Sequence, residues 1–245
     1  MKLDISKVEL SKNDIKRELK LPREMTESLA ENIGIMIGDG HIGLYKNKRG
    51  AEYPIIVSGN AKTDKHYLSE YVKKLNSNLY NLDFPVSVVG KNKTEIRLKI
   101  CSKGLVYFYS EIIGLPINKK DNLSIPKCLW TKDEHLAACL RGIFDTDGSL
   151  QFKKKVKYPV LSLNSSSRKL IIDCQKALVR FDINANIYCD IERLHSKTKK
   201  THVINELYIN GRKNLAKFIE RIGFSNERNL EKIRAHGDSN PGPMA

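Results

Sequence analysis

Apolar residues recur along this chain in two rhythms. Leu29, Ile33 and Ile37 fall four apart, the spacing of one helix face, and Thr26 stands where an N-cap belongs. Alternation by twos governs Glu95-Ile96-Arg97-Leu98-Lys99-Ile100, which sets Ile96, Leu98 and Ile100 on one face of a strand and Glu95, Arg97 and Lys99 on the other. Glu206-Leu207-Tyr208-Ile209-Asn210 alternates likewise, so Leu207 and Ile209 are expected inside and the polar set outside. Thr131-Lys132-Asp133-Glu134 predicts a capping box, and Ser11 predicts the cap of a short basic helix with Ile15 and Leu19 facing the body.

The pattern occurs twice, and a duplication constrains architecture before any single motif does. Leu21-Pro22-Arg23 precedes a helical stretch ending in Ile37-Gly38-Asp39-Gly40; Ile125-Pro126-Lys127 precedes one ending in Asp145-Thr146-Asp147-Gly148. The strand-like run Tyr53–Ser58 answers to Tyr158–Leu163, and later helices close on Gly114 and Gly223, each suited to the C′ position. The expected fold is α+β: two pseudo-symmetric αββαββ units, 22–124 and 125–235, whose antiparallel sheets each have one apolar and one polar, partly basic face. An extension, 1–21, holds the short basic helix. The last residues, 236–245, read as a disordered tail without function.

Composition narrows the chemistry. Of 245 residues 40% are hydrophobic, enough for a real core, yet no run approaches 18 apolar residues and the first residues lack a signal-like apolar stretch. These features predict neither a membrane span nor secretion, and the expected location is the cytoplasm, or an organellar matrix if the gene is organellar. Lys and Arg outnumber Asp and Glu by 43 to 28, and a net charge of +15 calls for a polyanionic partner. The five cysteines (Cys101, Cys128, Cys139, Cys174, Cys189) form no C-x-x-C pair and read as small buried hydrophobes in a reducing compartment.

The candidate chemistry sits in the duplicated helix ends. Gly34 with Gly38, and Gly142 with Thr146, lie one turn apart, so two small-residue faces can bring the motif helices together. Asp39 and Asp147 then stand at neighbouring helix C-termini, where the macrodipole already disfavours negative charge; the pair needs a cation, and a hard divalent ion suits carboxylates better than zinc. One Gly-Asp-Gly is an ordinary turn, but two copies in one context are not. His41 reads equally as a general base or as a polar residue at a helix exit. Basic side chains gather in the strands and hairpins: Lys46, Lys48, Arg49, Lys91, Lys93, Arg97 and Lys99 in the first unit; Lys153, Lys154, Lys155, Lys157, Arg193, Lys197, Lys199 and Lys200 in the second. Strand-borne Arg and Lys can read guanine and loop lysines can neutralise phosphates; Gln151 and Asn205 are candidates for adenine, and Tyr45 and Tyr208 join the DNA-contacting set.

On these residues the chain resembles the LAGLIDADG homing endonucleases in their single-chain, two-motif form: Asn32 to Gly40 matches one copy of the motif, Leu140 to Gly148 the other, and Asp39 and Asp147 fall on the metal-binding acid position. The earlier acid of the motif is Asp145 in the second copy but Ile37 in the first, so Asp145 receives no metal role. The resemblance implies two saddle-shaped sheets in the major groove of double-stranded DNA and magnesium-dependent hydrolysis of both strands of a long asymmetric site, with Mn2+ or Ca2+ as alternative occupants. It also implies a monomer with no obligate protein partner. It further implies catalytic roles for Asn164, whose counterpart by alignment is Gly59, and for Lys103 with Arg212. An intron-encoded, free-standing enzyme is expected, since intein splicing residues are not seen at the chain ends. The alternative is an RNA maturase or a non-cleaving nucleic-acid-binding protein on the same fold; a transcriptional regulator would want an added helix-turn-helix.

Overall fold

The computed structural model describes residues 1–48, 50–90, 92–120, 122–153, 158–194 and 200–237. Ser11 and Asp14 close a reciprocal capping box at the start of α1 (Lys12–Lys16). That helix is too short to turn Ile15 inward: Ile15 is exposed, while Asp14 is the buried residue and accepts from the Gly104 backbone N–H at 3.1 Å. Leu19 is buried as expected.

The first unit runs α2 (Glu27–Ile37), β1 (Gly40–Ile42), β2 (Tyr45–Asn47), β3 (Gly50–Glu52), β4 (Pro54–Asn60), a π-helical turn (Tyr67–Val72) leading into α3 (Lys73–Tyr80), β5 (Val86–Val89), β6 (Glu95–Cys101) and α4 (Lys103–Tyr107), which continues through Phe108–Ile113. Its sheet has the order β1-β4-β6-β5, all antiparallel; β2 and β3 form a separate exposed ladder at the hairpin tip. The second runs α5 (Asp133–Thr146), β7 (Gly148–Lys153), β8 (Tyr158–Ser165), α6 (Arg168–Arg180), β9 (Ala185–Leu194), β10 (Thr201–Asn210), α7 (Arg212–Arg221) and α8 (Glu227–Gly237), with the equivalent order β7-β8-β10-β9. The α+β architecture and the strand order agree with the duplication. Thr26 caps α2 through the Leu29 N–H, but the predicted capping box at Thr131 is absent: the Thr131 hydroxyl turns back to the Cys128 carbonyl, ending a 3-10 turn, and α5 starts without a side-chain cap.

Both sheets bury their apolar faces, Ile55, Val57, Ile96 and Leu98 in one and Leu161, Leu163, Leu207 and Ile209 in the other, and a single core runs between them. The helices α2 and α5 make the most extensive contact of any two elements outside a shared sheet. Glycine makes that approach possible: a Cβ on Gly34 would stand 2.1 Å from the Cys139 carbonyl oxygen, and one on Gly142 2.3 Å from that of Glu31. Two buried carboxylates in this interior, Glu31 and Asp145, are paired, as burial demands. Glu31, on α2, accepts from the Tyr71 and Ser225 hydroxyls at 2.7 Å each and from Arg141 Nε at 3.1 Å, tying α5 and the segment before α8 to the first unit. Asp145 accepts from the Ser225 N–H at 2.6 Å and from Asn229 Nδ2 at 3.3 Å, which anchors α8. Cys139 and Cys174 are buried as expected; Cys101 is exposed, because it lies on the outward face of β6.

Candidate active site

Asp39 follows the C-cap of α2, and Asp147 is the C-cap of α5, its N–H donating to the Ile143 carbonyl at 3.0 Å. A Cβ on Gly38 would lie 1.9 Å from Thr146 Oγ1 and 3.5 Å from the Asp147 carboxyl carbon, so the two motif ends meet. The glycine after each acid lets the chain fold back over its own helix: Cβ atoms on Gly40 and Gly148 would stand 2.5 Å and 2.2 Å from the Met36 and Phe144 carbonyl oxygens. Asp39 is half-buried and Asp147 keeps an open side toward solvent.

Their electrostatics follow from this placement. Burial, then the charge of Asp147, pushes the Asp39 carboxyl up to about 7. Burial raises Asp147 as well, opposed by Lys120. The chain's own counter-charge is Lys120, whose ammonium donates to the Gly38 carbonyl and, at 3.4 Å, to that of Ile37; burial lowers its pKa while Asp147 and Asp39 hold it up. A second cation, Arg228, also acts on Asp39 and pairs with Asp64 at 2.7 Å. Sequence reading missed both cations, yet a signal existed: Lys120 stands 81 residues beyond Asp39, and Arg228 stands 81 beyond Asp147. Lys120 lies in the connection after the last helix of the first unit, whereas Arg228 lies on α8 and reaches across to the first unit.

Two hard carboxylates that repel one another and stay open to solvent form a donor set suited to a divalent cation completed by water or phosphate oxygens. Among the described residues no group of three or more His, Cys, Asp or Glu gathers, so Asp39 and Asp147 would carry the protein's share of such a site. His41, beside this pair, has its pKa lowered by burial and by Lys120, and shares a 2.7 Å hydrogen bond with Tyr45.

Other expected residues lie elsewhere. Lys103 opens α4, pairs with Glu9 at 2.5 Å and lies over the Tyr107 ring; Lys120, and not Lys103, is the lysine at the acids. Arg212 opens α7 at the equivalent point. Asn164 is exposed on β8, but its counterpart is Ser58 rather than Gly59, since Gly40 pairs with Val57 and Gly148 with Leu163. Such a one-residue slip exchanges sheet faces.

The sheet surfaces were only partly legible. Lys99 is exposed on β6, Lys93 sits in the β5–β6 turn with φ of 52°, and Lys46, Lys48 and Tyr45 project from the first hairpin. Lys200 is exposed before β10, Gln151 is exposed with its amide 3.3 Å from Ser149 Oγ, and Lys153 lies over the Tyr158 ring. Arg49, Lys91, Lys154, Lys155, Lys157, Lys197 and Lys199 fall outside the described residues. Asn205 is corrected: a bulge in β10 turns it inward, where Oδ1 accepts from the Asp190 N–H at 3.0 Å and Nδ2 donates to the Ser165 and Ser166 carbonyls, leaving no amide face for a base. Glu206, expected outside, is buried beneath Arg193 and the Tyr208 hydroxyl.

This geometry has close parallels. Residues 134–223 match the family described as LAGLIDADG-like domain. The fold is that of I-DmoI in complex with DNA and Ca (TM-score 0.60, 17% identity, covering 84% of this chain and 97% of that one) and of the LAGLIDADG homing endonuclease I-LtrWI bound to target DNA (TM-score 0.53, 12% identity, covering 86% and 90%). The chain therefore has the two-motif LAGLIDADG homing endonuclease fold, and its second unit is a LAGLIDADG-like domain. Among curated proteins it is similar to the replication factor C small subunit of Methanocaldococcus jannaschii (30% identity, 86% of this chain) and to the glutamine–fructose-6-phosphate aminotransferase of the same organism (29%, 89%). The chain spans only 10% and 18% of those two proteins.

Proposed function

We propose that the chain is a site-specific endonuclease that hydrolyses both strands of a long, asymmetric DNA duplex with a divalent metal ion, magnesium in the cell. One observation carries the reading: a single chain brings two acids, each ending one of two glycine-packed helices, to one point beside two antiparallel sheets with polar, cation-bearing faces. Asp39 and Asp147 would hold the metal, whose chemistry is to lower the pKa of a bound water and offset charge developing on the phosphate. The chain's own contribution is placement. Lys120 moderates the repulsion between the carboxylates, and the basic sheet faces and hairpins grip phosphates and base edges. Because both acids come from one chain, the enzyme would act as a monomer on DNA wherever its host's DNA lies. The two curated relatives have no activity in common in their names, which supports a mobile element, intron-encoded on the sequence reading, over a task tied to one host pathway.

The test is to incubate the protein with Mg2+ and a library of duplexes bearing candidate insertion sites, then map the ends. A single cut position on each strand is expected, abolished in Asp39→Asn and in Asp147→Asn with DNA binding retained. Wild-type rates in both variants, or no metal-dependent cut at all, would overturn the reading.

A further inference from the structure

Arg97 lies on the polar face of β6, in one row with Ser58 of β4 and Ser87 of β5. Its guanidinium is gripped along one edge: Nε donates to Glu95 Oε1 at 2.6 Å and Nη2 to Glu95 Oε2 at 2.9 Å. Arg97 most strongly, and then Ser58 beside it, hold Glu95 below the ordinary range. The two side chains remain 41% and 33% exposed, so the pair adds little to stability. Its consequence is geometric and electrostatic. With the Nε edge occupied, the Nη1 end carries no hydrogen bond among the described residues and points a planar pair of donors away from Glu95.

We infer that Glu95 is a positioning residue for sequence reading: it holds Arg97 so that the free end of the guanidinium addresses the O6 and N7 acceptors of one guanine, and it cancels the charge that would otherwise draw Arg97 to any phosphate. A guanidinium matches that pair of acceptors in the major groove, whereas an unrestrained arginine serves phosphates without regard to sequence. The second sheet carries the same chemistry with the roles exchanged. Leu98 and Leu207 pair with the equivalent inward residues Val57 and Leu163, so Glu206 occupies the place of Arg97 and its partner, Arg193, comes from the neighbouring β9. Each sheet thus has an arginine tethered by a carboxylate, Arg97 on β6 and Arg193 on β9, at different places along the strands, which fits an asymmetric target.

The inference rests on DNA being the ligand, as proposed above, and its test is read by binding, without cleavage. The full chain and its Glu95→Gln, Glu95→Asp and Arg97→Ala variants are titrated, with Ca2+ present, against the cleavage-mapped target and all its single-base variants at several salt concentrations. Arg97→Ala should erase discrimination at one base pair. Glu95→Gln should reduce discrimination at that same pair roughly tenfold, raise affinity for unrelated duplexes and steepen the salt slope by about one unit; Glu95→Asp should fall between. The melting temperature should hardly move. If Glu95→Gln leaves the discrimination profile unchanged while Arg97→Ala alters it, Glu95 positions nothing. If Arg97→Ala weakens all duplexes equally, Arg97 is a phosphate contact and the inference falls. A wild-type protein that cuts no target and prefers no duplex would refute the endonuclease reading itself.

Discussion

Lys120 donates its ammonium to the carbonyl oxygen of Gly38, the residue that joins α2 to Asp39. The cation thereby sits on a helix C-terminus, where the backbone is already electronegative, and within the field of both motif acids. Removing it leaves the two carboxylates to repel each other with only the weaker influence of Arg228 on Asp39 to offset them. Lys120→Met should therefore lower the melting temperature of the metal-free protein at pH 8, and added Ca2+ should raise it more in the variant than in the wild type. Thermal-shift curves with and without Ca2+ check this; equal responses would show that Lys120 does not balance the acids.

Asp39 makes the metal-free fold sensitive to pH with a definite sign. Its carboxyl is raised from 3.8 in the unfolded reference to about 7 in the fold, so between those values the folded state binds more protons than the unfolded one. Stability from this group is then full below about pH 4 and is lost as pH rises through about 7. Asp39→Asn should stabilise the metal-free protein at pH 8 and do nothing at pH 4. Asp147 and Asp145, also raised, act in the same direction and keep part of the slope in the variant. Melting temperatures across that range decide it.

The contact between α2 and α5 tolerates no methyl group. Gly34→Ala and Gly142→Ala would each place a Cβ within 2.1–2.3 Å of a backbone oxygen on the facing helix. Each should cost about 1–3 kcal/mol or more by overpacking, read from urea unfolding. An unchanged midpoint would mean that the helices do not meet at these residues.

Glu31 accepts from three donors at once, two of which, Arg141 and Ser225, come from the second unit. Glu31→Gln removes the charge facing Arg141 and should destabilise by about 1–3 kcal/mol. Adding Arg141→Met should recover part of that loss, since the remaining charge no longer lacks a partner. Strict additivity of the two substitutions would count against a shared network.

What the chain determined by itself was whatever repeats or alternates locally. Period-two runs placed β6 and most of β10, and helical spacing with Thr26 placed α2. The duplicated ends Gly38-Asp39-Gly40 and Thr146-Asp147-Gly148 located the acids, because covalent neighbours keep their order in any fold. Tertiary structure alone decided the partners. It turned Asn205 inward through a bulge that no alternation encodes, and shifted the counterpart of Asn164 from Gly59 to Ser58 through strand register. It also carried Lys120 across 81 residues to Asp39 and Arg228 from α8 to Asp64, and set Lys103 on Glu9. A side chain's periodicity is fixed by its neighbours in sequence, whereas its charge partner is fixed by which surfaces close on one another, and only the packed chain specifies that.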